Sequence, residues 1–221
     1  MASLYRPIKK LIYASTSSIY GLQNKYPIKE DFNTDKPIQL YAATKKSNEV
    51  IAHAYSHLFK IQTIGLRFFT VYGPWGRPDM ALFKFTKGIL KNKKIDVYNN
   101  GKMYRDFTYI DDIVDGILKI LNKGPLWQKN KDNSNTNKPP WEIYNLGNNK
   151  SISLEKFIKT IELLTGKKPK KIYLNLQPGD MRFTLADISK AQNKFNFNPQ
   201  TSITDGLFKF IEWYKNFYNI K

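Results

Sequence analysis

An α/β protein built on a parallel sheet is what the sequence predicts, and three observations predict it. Apolar runs at residues 11–14 and 61–71 flank a helical pattern at 40–59, the strand–helix–strand order of a parallel unit. The second run is nearly continuous and is interrupted by Arg67, as expected of a strand covered on both faces. The first run passes directly into Ser15, Thr16, Ser17 and Ser18, so hydroxyls gather at a strand tip, where open α/β sheets place their sites.

Residues 1–10 are a short lead-in to the first strand. Residues 21–37 form a loop rich in Asn, Lys, Asp and Pro. The helix at 40–59 has Val50, Ile51, Ala54 and Leu58 as its apolar stripe, and the strand at 61–71 follows. Beyond residues 72–78 the texture changes. A helix at 81–90 turns Leu82, Phe85, Ile89 and Leu90 to one side. Two short strands at 95–98 and 105–109 flank an Asn-Asn-Gly turn at 99–101, and Asp111 caps a helix running to Leu121. Residues 127–140 read as a polar, low-complexity surface loop. A strand at 142–146 precedes a helix opened by Ser153 and stopped at Thr165-Gly166. A strand at 171–176, a turn at 177–180 and helices near 187–195 and 204–218 complete the chain, with no internal repeat.

The composition narrows the function. At 221 residues the chain has room for one good core or two small domains. It has no Cys, which excludes disulfides, thiolate catalysis and Cys-based metal sites. His53 and His57 stand four apart without acidic partners, so no metal is expected. The net charge of +18 comes from scattered lysines, with short clusters at 91–94 and 167–171 and no nucleic-acid motif. It therefore reads as a lysine-rich bias that favours an anionic small substrate, with no specific nucleic-acid partner. No stretch reaches the ~20 apolar residues of a membrane span, and residues 1–10 lack a signal-peptide core. The default expectation is a cytoplasmic protein.

Tyr41 and Lys45 lie four apart on the helix, hence on one face. Their spacing alone also fits a core tyrosine and a surface lysine. Its weight comes from order, because Thr16 at a strand tip precedes the pair by 25 residues and a buried strand follows it. A hydroxyl cluster and a Tyr–Lys pair that converge suit removal of a proton from a sugar hydroxyl while a hydride leaves the same carbon.

The segments YASTSSIYG at 13–21, LYAATKKSNE at 40–49 and GLRFFTVYGPWGRPDMA at 65–81 resemble the extended short-chain dehydrogenase/reductases that act on nucleotide sugars. So do RDFTYIDD at 105–112, YNLGN at 144–148 and QPGD at 177–180. Within the NAD-dependent epimerase/dehydratase family they are most similar to UDP-glucuronate 4-epimerases. The resemblance implies the C-terminal part of a Rossmann-like parallel sheet plus a smaller mixed α/β sugar-nucleotide-binding domain. Residues 1–73 would belong to the NAD-binding part and 74–221 mainly to the substrate domain, with some segments returning. Tyr41 is implied as the base for the sugar 4-hydroxyl, Lys45 as its electrostatic support and the holder of the nicotinamide ribose, and Thr16 with Ser17 as the shuttle for the 4-oxygen proton. Ser15 and Phe68 fall on the NAD side. Thr70, Arg77, Arg105, Gln177 and Asp180 fall where the family holds the UDP-sugar, Arg77 being the natural partner of a uronate carboxylate. In related epimerases an Arg often stands at the place of Gln177.

The implied reaction is oxidation at C4, turning of the 4-keto sugar and reduction on the other face, a step used in polysaccharide biosynthesis. Ser17 and Ser18 stand where 4,6-dehydratases carry an Asp–Glu pair, and Ser18 where UDP-xylose-forming decarboxylases carry Glu, which favours plain epimerisation. The family opens with a Gly-rich βαβ unit that seats the NAD pyrophosphate, and no G-x-G-x-x-G occurs among these 221 residues. The expectation is therefore a chain that binds NAD weakly or not at all alone and is inactive without a separate N-terminal half. The sequence does not give the oligomeric state; the resemblance implies only that the helix at 43–59 lies where relatives pair into dimers, which leaves room for a homodimer. The alternatives are a non-catalytic UDP-sugar-binding remnant, an epimerase for another UDP-hexose, and a basic nucleic-acid-binding module favoured by charge alone.

Overall fold

In the computed structural model the described residues are 8–123 and 138–220. In chain order they form β1 (Leu11–Thr16), a 3-10 turn (Ser17–Tyr20), α1 (Leu40–Phe59), β2 (Thr63–Phe68), β3 (Thr70–Tyr72), α2 (Ala81–Leu90), β4 (Lys94–Val97) and a second 3-10 turn (Tyr98–Gly101). Then follow β5 (Tyr104–Tyr109), α3 (Ile110–Asn122), β6 (Trp141–Leu146), β7 (Ser151–Ser153), α4 (Leu154–Thr165), β8 (Lys170–Tyr173), α5 (Ser189–Phe195) and α6 (Ile203–Phe217). The chain divides into two compact units. One takes the described residues of Met1–Phe69, Asp115–Leu146 and Asp187–Phe197; the other takes Thr70–Val114, Gly147–Ala186 and Asn198–Lys221.

The first unit holds a parallel Rossmann-like sheet in the order β1-β2-β6. The register sets Ser15 beside Arg67 and Thr16 beside Phe68. Gly65 at the centre of β2 leaves room for the Tyr13 ring, whose hydroxyl would lie 2.5 Å from an added Cβ. The two flanks of this sheet differ. Among the described residues no strand pairs with the outer edge of β1. A groove of about 350 Å³ opens there, lined in part by Leu11, Tyr13, Ala14 and Ile51. The outer edge of β6 is instead closed by side chains: the Asn145 N–H donates to Glu30 Oε1 at 2.8 Å, and Lys190 Nζ donates to the Ile143 carbonyl at 2.8 Å.

The second unit holds β3-β5-β7, with β5 parallel to β3 and antiparallel to β7, and a separate parallel pair β4-β8. Its core is aromatic. Phe107 stacks on Phe157 at 4.3 Å, Tyr72 meets both edge-on, and Phe83, Phe210 and Tyr214 close from α2 and α6. Gly206 lets α6 lie directly on Tyr72 and Tyr109, since an added Cβ would sit 2.2 Å from the Tyr72 hydroxyl. Ser153 caps α4 by accepting from the Lys156 N–H at 3.2 Å, and Gly166 ends it at φ +66°, as the sequence predicts.

Several sequence expectations are corrected. The expected stripe Val50, Ile51, Ala54 and Leu58 is the exposed face of α1; the buried face is Ala42, Glu49, Ala52 and Ser56. Small residues let the helix lie close to the sheet, and periodicity alone does not say which side of a helix faces inward. The apolar run at 61–71 is two strands, with a break at Phe69 that sends β2 and β3 to different sheets. The Asn-Asn-Gly stretch does not close a hairpin. Asn99 and Asn100 adopt left-handed backbone in a 3-10 turn, and the strands on either side join different sheets. Asp111 lies inside the first turn of α3, which starts at Ile110. The short strand β7 was not expected. The polar loop read at 127–140 lies outside the described residues up to 137.

Candidate active site

In the first unit two successive turns of α1 grip two successive residues of β1. Lys45 Nζ donates to the Ala14 carbonyl at 3.1 Å, and Glu49 Oε1 accepts from Ser15 Oγ at 2.6 Å. The next residue is Thr16. Its Oγ1 accepts from the Ser18 N–H at 3.2 Å and donates to Ser18 Oγ at 3.3 Å, capping the 3-10 turn that buries Ser17 and Tyr20. The apolar strand thus ends in a tight turn that brings the Thr16 and Ser18 hydroxyls together. Phe68 ends β2 beside Thr16. Tyr41 sits one turn before Lys45, 52% exposed, in the first turn of α1. Fold and register therefore bring Thr16, Lys45 and Phe68 together, while Tyr41 is placed by its helical spacing from Lys45. Ser15, expected on the cofactor side, has its hydroxyl engaged by Glu49.

Beneath this tip lies a buried polar network. Arg67 binds Glu49 with two parallel bonds, Nε to Oε1 at 2.9 Å and Nη2 to Oε2 at 2.8 Å. Its Nη1 donates to the Tyr20 hydroxyl and the Glu30 carbonyl, each at 2.9 Å. The Tyr20 hydroxyl donates to Asn145 Oδ1 at 2.6 Å, and Asn145 Nδ2 donates to the carbonyls of Ile28 and Asp187. Burial pulls the guanidinium down, but the Glu49 bonds and charge outweigh it and hold Arg67 firmly protonated. Burial likewise raises the Tyr20 phenol well above its ordinary range, so it serves as a neutral donor. Sequence reasoning missed this network. Its signal was an Arg inside an apolar strand and a Glu four residues after Lys45 on the same helix face.

The second unit carries the other expected residues. Thr70 opens β3 beside Phe107 of β5, two residues from Arg105. Residues 182–184 run along Tyr104, through Tyr104 N–H to the Arg182 carbonyl at 2.9 Å and Thr184 N–H to the Tyr104 carbonyl at 3.2 Å. The preceding turn from Gln177 to Asp180 is closed by the Asp180 N–H on the Gln177 carbonyl at 3.1 Å. Asp106 locks this corner. It is fully buried and accepts from the Asn148, Asn149 and Ala186 N–H groups at 2.6, 3.1 and 2.9 Å. Burial pushes its carboxyl up to about 6 despite those donors. Arg77 lies on an exposed loop and forks onto Asp79 at 3.1 and 2.5 Å; that bond holds the Asp79 carboxyl below its ordinary value.

Comparison with known proteins agrees with this geometry. Protein CapI of Staphylococcus aureus is 49% identical over 215 residues, covering 96% of this chain and 64% of that protein. UDP-glucuronate 4-epimerase 5 of Arabidopsis thaliana is 46% identical over 218 residues, covering 96% of this chain and 49% of that protein. Among solved structures, the UDP-glucuronic acid 4-epimerase of Bacillus cereus, in complex with UDP-glucuronic acid and NAD, superposes with a TM-score of 0.87 at 34% identity. That match covers 98% of this chain and 65% of the other. The chain thus spans less than two-thirds of the length of each of these relatives. Residues 1–147 match the family described as "NAD dependent epimerase/dehydratase family". With a Rossmann-like sheet, a hydroxyl-rich strand tip and a Tyr–Lys turn set against it, the chain belongs to that family.

Proposed function

We propose that this chain carries the proton-handling and sugar-binding residues of a UDP-glucuronate 4-epimerase that forms UDP-galacturonate. The observation that carries the reading is the reach of Lys45 Nζ to the Ala14 carbonyl at 3.1 Å, which sets the Tyr41–Lys45 turn against the strand tip ending in Thr16. Tyr41 takes the proton of the sugar 4-hydroxyl, and the Lys45 ammonium stabilises the resulting phenolate. Thr16 turns its hydroxyl from Ser18 to the 4-oxygen, with Ser17 beside it in the proton path. NAD, when bound, would supply a reversible hydride acceptor for C4 of the sugar. A phenol, an ammonium and a hydroxyl are a donor set that fits this group: Lys45 and Tyr41 would hold the nicotinamide ribose, with Phe68 on the same side of the strand tip. Ser15 contributes through its backbone, since its hydroxyl is taken by Glu49.

In the second unit Thr70, Arg105, Gln177 and Asp180 bind the UDP-sugar. Arg77 takes the uronate carboxylate with the fork it presents here to Asp79. A clamped carboxylate is held out of the alignment that would let a 4-keto uronate lose carbon dioxide. A Gly-rich turn of the kind that would seat the NAD diphosphate is not among these 221 residues, so turnover would require one from a further segment. The exposed apolar face of α1 supports a homodimer through 43–59.

The test follows UDP-galacturonate by NMR after incubation with NAD and UDP-glucuronate, with and without a co-expressed Gly-rich βαβ segment. Product formation that Tyr41→Phe lowers by about 100- to 10 000-fold supports the reading. Absence of any UDP-hexose interconversion in both conditions overturns it in favour of a non-catalytic UDP-sugar binder. Turnover of UDP-glucose without UDP-glucuronate replaces the substrate. Full turnover by the 221-residue chain alone removes the requirement for a further segment.

A further inference from the structure

The Glu49–Arg67 pair is buried, hydrogen-bonded on both sides and outside the proposed chemistry. A buried ion pair is poor evidence of stabilisation, because desolvation of two charges offsets their attraction and an apolar pair of similar volume often serves the fold as well. Its position accounts for it better. Glu49 Oε1 is shared by Arg67 Nε at 2.9 Å and Ser15 Oγ at 2.6 Å, so one carboxylate ties β2, α1 and the tip of β1 together. Arg67 is also the register partner of Ser15 across the sheet. It extends the tie through Tyr20, at 2.9 Å, to the far side of the 3-10 turn that Thr16 caps. Ser15 precedes Thr16, and Glu49 lies one turn after Lys45 and two after Tyr41 on the same helix.

We infer that Glu49 and Arg67 are positioning residues: the pair fixes the β1 tip against α1, so that Thr16, Tyr41 and Lys45 hold one geometry through the reaction. This rests on the epimerase reading of those three residues. A misplacement of about 1 Å in a reacting group costs on the order of a hundredfold in rate, which is the scale at which such a tie acts.

The test replaces both charges at once, Glu49→Leu with Arg67→Met, so that neither is left buried alone. The expected result is a melting temperature near that of the wild type, with amide hydrogen exchange about tenfold faster or more at residues 14–18 and 41–45 and unchanged in α6. In the co-expressed, NAD-supplied enzyme, kcat falls about 10- to 100-fold while KM for UDP-glucuronate stays within about twofold. Should the double variant fail to fold, Ser15→Ala cuts the same tie from the strand side and leaves the ion pair intact, with faster exchange expected at 15–17. Unchanged exchange at the strand tip in a folded variant overturns the inference. A wild-type protein that turns over no UDP-sugar sinks the epimerase reading, while the exchange measurement still decides whether the pair holds the tip.

Discussion

Asp106 holds three backbone N–H groups with one carboxylate, yet its burial outweighs them and raises it to about 6. A carboxyl whose folded value lies above its unfolded value contributes stability that is fully present below the unfolded value near ~4. That contribution is lost as the pH rises through about 6. Urea unfolding of the wild type is therefore expected to weaken between pH 4 and 7 by on the order of 2–3 kcal/mol more than unfolding of Asp106→Asn, which lacks the titration. At Arg77 the sequence indicated the residue but not its partner. Asp79 is two positions on, and only the folded loop shows the fork between them. On the proposed epimerase reading, Arg77→Met in the co-expressed, NAD-supplied enzyme is expected to raise KM for UDP-glucuronate about tenfold or more and to leave KM for UDP-glucose nearly unchanged, as steady-state kinetics will read. The placing of Lys45 against the strand that ends in Thr16 was legible in order and spacing. Glu49 and Arg67 were not, because pairing across 18 residues is a property of the register, and a charge in an apolar run does not name its counter-ion.

Among the elements, α1 shows what pattern can and cannot settle. Its helical period and its limits were legible, but its orientation was reversed. The bulky face of Val50, Ile51, Tyr55 and Leu58 is exposed, while alanines and Glu49 face the sheet. A helix that must lie close to a sheet selects small residues inward, so the largest apolar residues mark a different surface. Leu58→Asp, 69% exposed, is expected to change the unfolding free energy of the isolated chain by no more than ~0.5 kcal/mol and to shift a homodimer to monomer in sedimentation. The α6 helix makes the opposite case. Gly206 looks like a weak point in a helix, yet Tyr72 and Tyr109 occupy the space of its missing side chain. Gly206→Ala, normally favourable in a helix, is expected to destabilise by about 1–3 kcal/mol in thermal melts, because the gain in propensity is smaller than the overpacking. Strand identities were largely legible. Sheet membership was not, because the break at Phe69 and the 3-10 turn after β4 carry no apolar signal.

At the scale of the molecule, a charge of +18 on 221 residues repels itself. Raising the salt from about 0.02 to 0.5 M screens that repulsion beyond a few ångströms and is expected to raise the melting temperature. Scanning calorimetry over that range checks it; a fall would show that specific ion pairs dominate. The parallel Rossmann-like sheet has a further consequence. Glu30 and Lys190 occupy backbone groups on the β6 flank, while among the described residues no strand meets the β1 flank, where Lys45 holds the Ala14 carbonyl. The sheet is thus a one-sided template. Any strand that lengthens it joins at β1, takes its alignment from residues 11–16, and so arrives in register with the stretch that ends at Thr16.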